Sequence, residues 1–242
     1  MKTAVVTGAN QGIGLETARQ LARQGYFVHL GCRSPENGAA AVEALGREGL
    51  ETVWVQLDVT DQKSVDAAAA AVALRHPAVD VLVNNAGILG ALPTAGEPYP
   101  VDEIRRVFET NVFGVARVTQ AFLPLLSRST EPRIVNVTSG LGSLTMQSDP
   151  NWEYSRFKHP AYVPSKAALN AYTVVLSAEL ASRGFKVNAV DPGYTATAFN
   201  RYTGTRSPED AAAFVVQAAT LDDGGPTGKF LSEGLPGGEL PW

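Results

Sequence analysis

At 242 residues the chain suits one large α/β domain, and 45% apolar with 18% charged residues is an ordinary globular balance. A net charge of −4 gives no footing to nucleic acid or an anionic membrane as partner, and no apolar run is long enough to cross a bilayer. The single cysteine, Cys32, excludes an internal disulfide and fits a reducing, cytoplasmic location; the run after Met1-Lys2-Thr3 is too short for a signal segment.

Ala4 to Val6 is a short apolar run closed by Thr7-Gly8 and reads as a buried strand. Gly12-Ile13-Gly14 opens an amphipathic helix to Gln24, with Ile13, Thr17, Leu21 and Ala22 on one face and Gly25 as its stop. A second strand is expected over Tyr26 to Gly31, a helix from Ser34-Pro35 through Leu45, and a third strand over Thr52 to Leu57. Asp58-Val59-Thr60-Asp61 ends that strand and caps a helix from Gln62 to Arg75. Val79 to Val83 gives a fourth strand ending at Asn84-Asn85-Ala86-Gly87, then a Gly- and Pro-rich loop runs from Ile88 to Pro100. A long helical pattern covers Val101 to Leu126, and Arg133 to Val137 is a fifth strand ending at Thr138-Ser139. Pro160 to Ser182 is a long helix, with Pro164 early enough that its missing N–H costs no helical bond. Phe185 to Val190 is a sixth strand ending at Asp191-Pro192-Gly193. Ser207-Pro208 opens a last helix to Leu221, and Lys229-Phe230-Leu231 supplies a short final strand.

Strand and helix alternate throughout, and the strands are continuous apolar runs of the kind buried on both faces. The pattern predicts an α/β fold in a single domain over 1–242, a doubly wound parallel sheet of about seven strands with helices on both faces.

Tyr162-Val163-Pro164-Ser165-Lys166 lies on the predicted 160–182 helix. Positions i and i+4 share a helix face, so a phenol and an ammonium stand side by side. An adjacent cation favours phenolate and is expected to lower the Tyr162 pKa, which suits proton transfer. By themselves the two residues are equally a surface contact. Upstream, Thr7-Gly8-Ala9-Asn10-Gln11-Gly12-Ile13-Gly14 fills the first βα turn, where a doubly wound fold binds a dinucleotide. Gly8 can make the tight turn, Gly12 admits a diphosphate to the backbone, and Gly14 lets helix and strand approach. The helix N-terminus meets the phosphate charge.

The GxxxGxG spacing with its preceding Thr resembles the short-chain dehydrogenase/reductase family, in its carbonyl-reductase-like members. The resemblance runs along the chain through Asn84-Asn85-Ala86-Gly87, through Asn111, Ser139, Tyr162 and Lys166 in order, and through Pro192-Gly193. It implies hydride transfer between NADP(H) and the carbonyl of an aldehyde or ketone. Tyr162 would be the acid, Lys166 its partner and the holder of the nicotinamide ribose, Ser139 a second donor to the carbonyl oxygen, and Asn111 the residue keeping a relay water. It also implies cofactor contacts from Gly8, Asn10, Gln11, Gly12, Ile13, Gly14, Asn85, Ala86 and Gly87. Pro192, Gly193, Thr195 and Thr197 would lie at the nicotinamide, and Asp58 and Val59 at the adenine, although Asp58 also reads as a cap. The glycine-rich end, Gly224 to Trp242, looks like the ending of carbonyl-reductase-like members. No metal is expected.

The end of the second strand selects the cofactor. An acid there would hold the ribose 2′-OH of NAD, whereas Gly31-Cys32-Arg33-Ser34 offers Arg33, which can fork onto the 2′-phosphate of NADP. Gln11 stands where some NADP-preferring members carry a base, which tempers the preference. An NAD-dependent alcohol dehydrogenase of the same fold is the alternative. A non-catalytic dinucleotide sensor is a third reading, disfavoured because all four catalytic positions are filled.

Two departures from the family pattern stand out. Tyr162 follows Ser139 by 23 positions, about twice the usual spacing, and the added stretch, 144–160, carries Met146, Trp152, Tyr154 and Phe157. Two readings stand for it, a wall of the substrate pocket and a surface or subunit contact. After Thr197, only Ala198 to Arg206 precedes the last helix, a reduced lid that suits bulky carbonyls, with Phe199 and Tyr202 as substrate contacts. His159 is read as a residue of the helix start, and His29 and His76 as structural. A homodimer pairing the 101–126 and 160–182 helices is expected, with tetramer or monomer as alternatives.

Overall fold

The computed structural model describes residues 1–233 and 238–242. Seven parallel strands, β1 (Thr3–Thr7), β2 (Phe27–Cys32), β3 (Thr52–Gln56), β4 (Val81–Asn84), β5 (Arg133–Val137), β6 (Lys186–Asp191) and β7 (Phe230–Ser232), pair in the order β3-β2-β1-β4-β5-β6-β7. The chain steps outward from β1 to β3 and then returns to pair β4 against β1, in the register Ala4↔Val81 to Val6↔Val83. That reversal opens a crevice at the carboxyl ends of β1 and β4.

Alternate strand residues feed two helix layers. Ala4 and Val6 of β1, Val81 and Val83 of β4, and Val135 and Val137 of β5 meet α1 (Gly12–Arg23), α2 (Pro35–Gly46) and α8 (Pro208–Ala219) through Ala18, Leu21, Leu45 and Val215. Val5, Leu82 and Ile134 face the other way, onto α3 (Gln62–Arg75), α5 (Gly114–Leu126) and α7 (Tyr162–Leu180) through Val65, Val72, Phe122 and Leu180. A period of two with both faces apolar is what a sheet covered on both sides requires. Full burial of a side chain such as Phe122 stabilises by roughly 1.5–3 kcal/mol. Among the described residues no helix is long and apolar enough to cross a membrane.

The expected helix over 101–126 is divided. α4 (Val101–Phe108) passes into a π turn at Glu109–Phe113 before α5 begins. The wider turn coincides with a close crossing, since a Cβ on Gly114 would lie 2.8 Å from Val59 Cγ2. It also carries Asn111, which is wholly buried. The 144–160 stretch opens with the short α6 (Leu144–Ser148) and continues as turns. β4 begins two residues later than expected and β7 one later. In the glycine-rich ending, residues 234–237 lie outside the described residues, and Leu240 returns its N–H to the Phe230 carbonyl at 2.7 Å.

Candidate active site

The first βα turn is held shut from the β4 side. The Thr7 hydroxyl accepts the N–H groups of Asn85 and Ala86, both at 3.0 Å. The Asn85 carboxamide donates to the carbonyls of Thr7 (2.9 Å) and Gly8 (3.2 Å). Gly8 and Gly12 sit at φ +64 and +56, the left-handed region that glycine enters freely. A Cβ on Gly14 would come within 2.5 Å of the Gly8 carbonyl oxygen. Among the described residues no side chain caps the start of α1, where Gln11 is exposed and extended. Backbone N–H groups at the head of α1 therefore remain available to an anion, as a dinucleotide diphosphate requires. Asn10 and Ile13 are half-buried beside them.

Arg33 is exposed just past β2, with no carboxylate partner among the described residues. Cys32 before it is buried, and burial pushes its thiol up to about 11. Asp58 turns its carboxylate onto the Thr60 N–H (2.9 Å) and hydroxyl (2.7 Å), while Asp61 caps α3. Val59 is buried against Gly114, and its carbonyl accepts from Arg117.

Four side chains converge at the carboxyl ends of β4 and β5. Lys166, 5% exposed, lies with its Nζ 5.6 Å from the Tyr162 ring centre and donates to the Val137 carbonyl at 2.9 Å. The Ser139 hydroxyl faces the Tyr162 phenol. Asn111 holds the Ile88 backbone on both sides, accepting its N–H at 2.8 Å and donating to its carbonyl at 2.9 Å. Asn111 also donates to Ser165 (3.0 Å), whose hydroxyl donates to the Tyr162 carbonyl at 2.7 Å. Gly87 fits between them, since a Cβ there would lie 3.4 Å from Asn111 Oδ1 and 3.6 Å from Lys166 Nζ.

The electrostatics correct one expectation. The net shift at Tyr162 is upward, not down: burial pushes the phenol well above its ordinary value, the Ser139 hydroxyl opposes this, and the Asp191 carboxylate adds to it. Burial also lowers Lys166, to about 8. Spacing along a helix placed the two groups on one face, but both lose water there, and desolvation disfavours either charge.

Two segments whose paths the sequence did not disclose come up to Tyr162 and Ser139. Phe199 lies 5.7 Å from Tyr162 between ring centres, whereas Tyr202 is 71% exposed at φ +61. The 144–160 stretch serves two ends. Its first part binds the chain terminus, with Thr145 donating to the Trp242 carbonyl at 2.8 Å and Met146 packed on the Phe230–Leu240 cluster. Its aromatic part turns to the site: Trp152 flanks Gly140, next to Ser139, and Tyr154 sits 6.2 Å from Tyr194. Thr195 is buried with its hydroxyl on the Pro192 carbonyl (3.2 Å), while the Thr197 methyl lies against Gly12, nearer the glycine loop. Gly193 takes φ +75 and donates its N–H to Asp191. Asp191 was read only as a strand end, yet its carboxylate also accepts from Ser232 and lies beside Gly140. His29 and His76 pack against Phe27 at tilted angles near the start of β2, and edge-on to each other.

The profile of the family described as short chain dehydrogenase matches residues 2–207. Short-chain dehydrogenase anuI of Penicillium roqueforti is 39% identical over 224 residues, spanning 89% of this chain and 87% of its own. (+)-Neomenthol dehydrogenase of Arabidopsis thaliana is 36% identical, spanning 95% of each chain. Among solved structures, NADPH-bound carbonyl reductase from chicken fatty liver superposes at a TM-score of 0.86 with 27% identity, over 100% of this chain and 99% of that one. Salutaridine reductase from Papaver somniferum gives 0.84 with 30% identity, over 96% and 100%. A family match over most of the chain, on a sheet reversal and glycine loop of this geometry, makes the protein a member of the short-chain dehydrogenase/reductase family of oxidoreductases.

Proposed function

We propose that the protein is an NADPH-dependent reductase of aldehydes or ketones, oxidising the alcohol in reverse. The observation that carries this reading is the convergence of Tyr162, Ser139, Lys166 and Asn111 one strand away from a glycine loop with an uncapped helix start. Bound NADPH supplies a hydride to the carbonyl carbon. Negative charge then grows on the carbonyl oxygen, and a donor already in place lowers the barrier. Tyr162 gives its phenolic proton to that oxygen, and Ser139 donates a hydrogen bond to it. Lys166 stabilises the phenolate left behind and holds the nicotinamide ribose. Asn111, by fixing the Ile88 backbone and Ser165, keeps the region behind Lys166 in shape for a relay water.

Arg33 supports the choice of NADPH, because an exposed guanidinium at the end of β2 suits a 2′-phosphate. The NADPH carried by the chicken carbonyl reductase structure supports it too. Asp58 and Val59 flank the adenine, and Thr195 and Thr197 the nicotinamide and diphosphate. A cytoplasmic homodimer completes the reading: Phe113, Val174 and Val175 are 52%, 40% and 65% exposed on the π turn and α7, an apolar surface that pairing would cover.

Tyr162→Phe is expected to keep NADPH binding, followed by fluorescence titration, and to lose turnover by roughly 10²–10⁴-fold; retained turnover on a panel of aldehydes and ketones would sink the assignment. Gly14→Ala forces a methyl onto the Gly8 carbonyl and should weaken NADPH binding or folding, so unchanged values of both count against the loop geometry. Arg33→Ala should reduce kcat/KM for NADPH by about tenfold or more while sparing NADH, and an equal loss with both would refute the 2′-phosphate contact. Sedimentation at micromolar concentration should give a dimer mass, which a monomer would contradict.

A further inference from the structure

His159 stands three residues ahead of Tyr162, 3% exposed, with both ring nitrogens engaged. Nδ1 receives the backbone N–H groups of Tyr162 at 3.1 Å and Ala161 at 3.3 Å. Nε2 lies 2.9 Å from the Ala91 carbonyl oxygen. The first nitrogen must accept and the second donate, so only the neutral ring with its proton on Nε2 satisfies all three contacts. The cap position of α7 is Ala161, and among the described residues no other side chain caps the helix. The imidazole therefore fills a place that Ser, Thr, Asn or Asp takes at most helix starts.

At its far side the ring reaches a crowded peptide. The Ala91 N–H donates to Glu103 of α4 (2.6 Å), and the Ala91 carbonyl also accepts the Tyr99 hydroxyl (2.8 Å). His159 thus couples the first turn of the Tyr162 helix to the loop that follows Asn85-Ala86-Gly87. The titratable and charged groups facing it are Glu103, itself paired with Arg106, the Tyr99 phenol and the Tyr162 phenol. Lys158 turns away onto Gln147.

We propose that neutral His159 is a positioning residue that sets the register of Tyr162, and that a proton on Nδ1 frees the first turn of α7 and silences the site. An Nδ1–H would point at two N–H donors, while the Nε2–H contact to Ala91 would survive. The break therefore falls at the helix and not at the loop. Burial holds the imidazole below its ordinary value, with the Ala91 carbonyl and Glu103 opposing. For a group depressed in the folded state, the cap is complete above the unfolded value, about 6.5, and is lost as pH falls through the lower folded value. This acid limb is separate from the alkaline one expected as Lys166 loses its charge around 8.

The inference rests on the reductase reading only in using turnover as a report of where Tyr162 sits. The test compares wild type, His159→Asn and His159→Gln by kcat against pH, alongside ¹⁵N shifts of the imidazole and amide exchange at Ala161 and Tyr162. Asn can present an oxygen where Nδ1 stood and does not titrate; Gln can reach Ala91 but leaves the helix start uncapped. Wild type should lose kcat by about tenfold per pH unit on the acid side, and His159→Asn should lack that limb. His159→Gln should lose kcat by about tenfold or more at every pH with the KM for NADPH little changed. At neutral pH the His159 Nδ1 shift should be that of an unprotonated acceptor, and protection of the Tyr162 amide should fall in step with its protonation. An acid limb that persists in His159→Asn, wild-type kcat in His159→Gln, or a Tyr162 amide that stays protected with the ring protonated overturns the proposal. Absence of turnover in wild type on any carbonyl would count against the reductase reading alone, and the imidazole and amide signals would still decide the role of His159.

Discussion

Two βα turns leave the sheet side by side where β1 and β4 diverge, and the space between them does not admit a single extra methyl. A Cβ on Gly14 would meet both the Asn85 carboxamide and the Gly8 carbonyl, and one on Gly8 would lie 3.0 Å from the Ala86 Cα. The carbonyls of Thr7 and Gly8 would be stranded in that gap, so Asn85 satisfies them and the Thr7 hydroxyl accepts in return from the β4 side. Because every partner in this knot is a carbonyl, an amide or a hydroxyl already spent, the N–H groups at the head of α1 are left over. The constraint that closes the sheet reversal is therefore the same one that leaves an anion site open.

A second set of polar contacts runs from that crevice to Tyr162. Asn111 sits on a π turn, where the wider spiral carries its carboxamide onto the Ile88 backbone and Ser165. Ser165 then donates to the Tyr162 carbonyl, one turn back along α7. Together with the His159 cap, this holds the first turn of α7 from two directions, by its carbonyl side through Asn111 and by its N–H side through the imidazole. Neither hold depends on a charge. Both are neutral hydrogen bonds in a buried place, strong for lack of competing water and costly if one partner is lost.

The strands were legible because each is a short, largely apolar run ended by a turn residue, and the sheet followed from their alternation with helices. The Tyr162–Lys166 pairing followed from helical spacing alone. The π turn was not legible, since 101–126 keeps its apolar pattern across Glu109–Phe113; the nearest signal was Gly114 inside a helix, a residue that often marks a close crossing. The split duty of 144–160 was equally hidden, because its partners, the chain end and Tyr194, lie far away in sequence. His159 gave a correct location but no role, since which ring nitrogen accepts is decided by contacts with Ala91, a residue 68 positions earlier.

The direction of the Tyr162 shift was misread for a physical reason that also informs the proposed chemistry. Spacing identifies neighbours and says nothing of how much water surrounds them. With water removed, the phenol keeps its proton more firmly and the ammonium gives its own up more readily. An ordinary phenol is already protonated at neutral pH, so in the proposed reduction the raised value adds to the work of releasing the proton, which charge growing on the carbonyl oxygen must offset. As that proton left in the proposed reaction, a phenolate would form beside Lys166 in a medium of low dielectric, where attraction between the two exceeds its value in water severalfold. On the proposed mechanism Lys166 contributes little to the resting phenol and most to the departing proton, and interactions stronger in the transition state than in the ground state are the ones that accelerate a step.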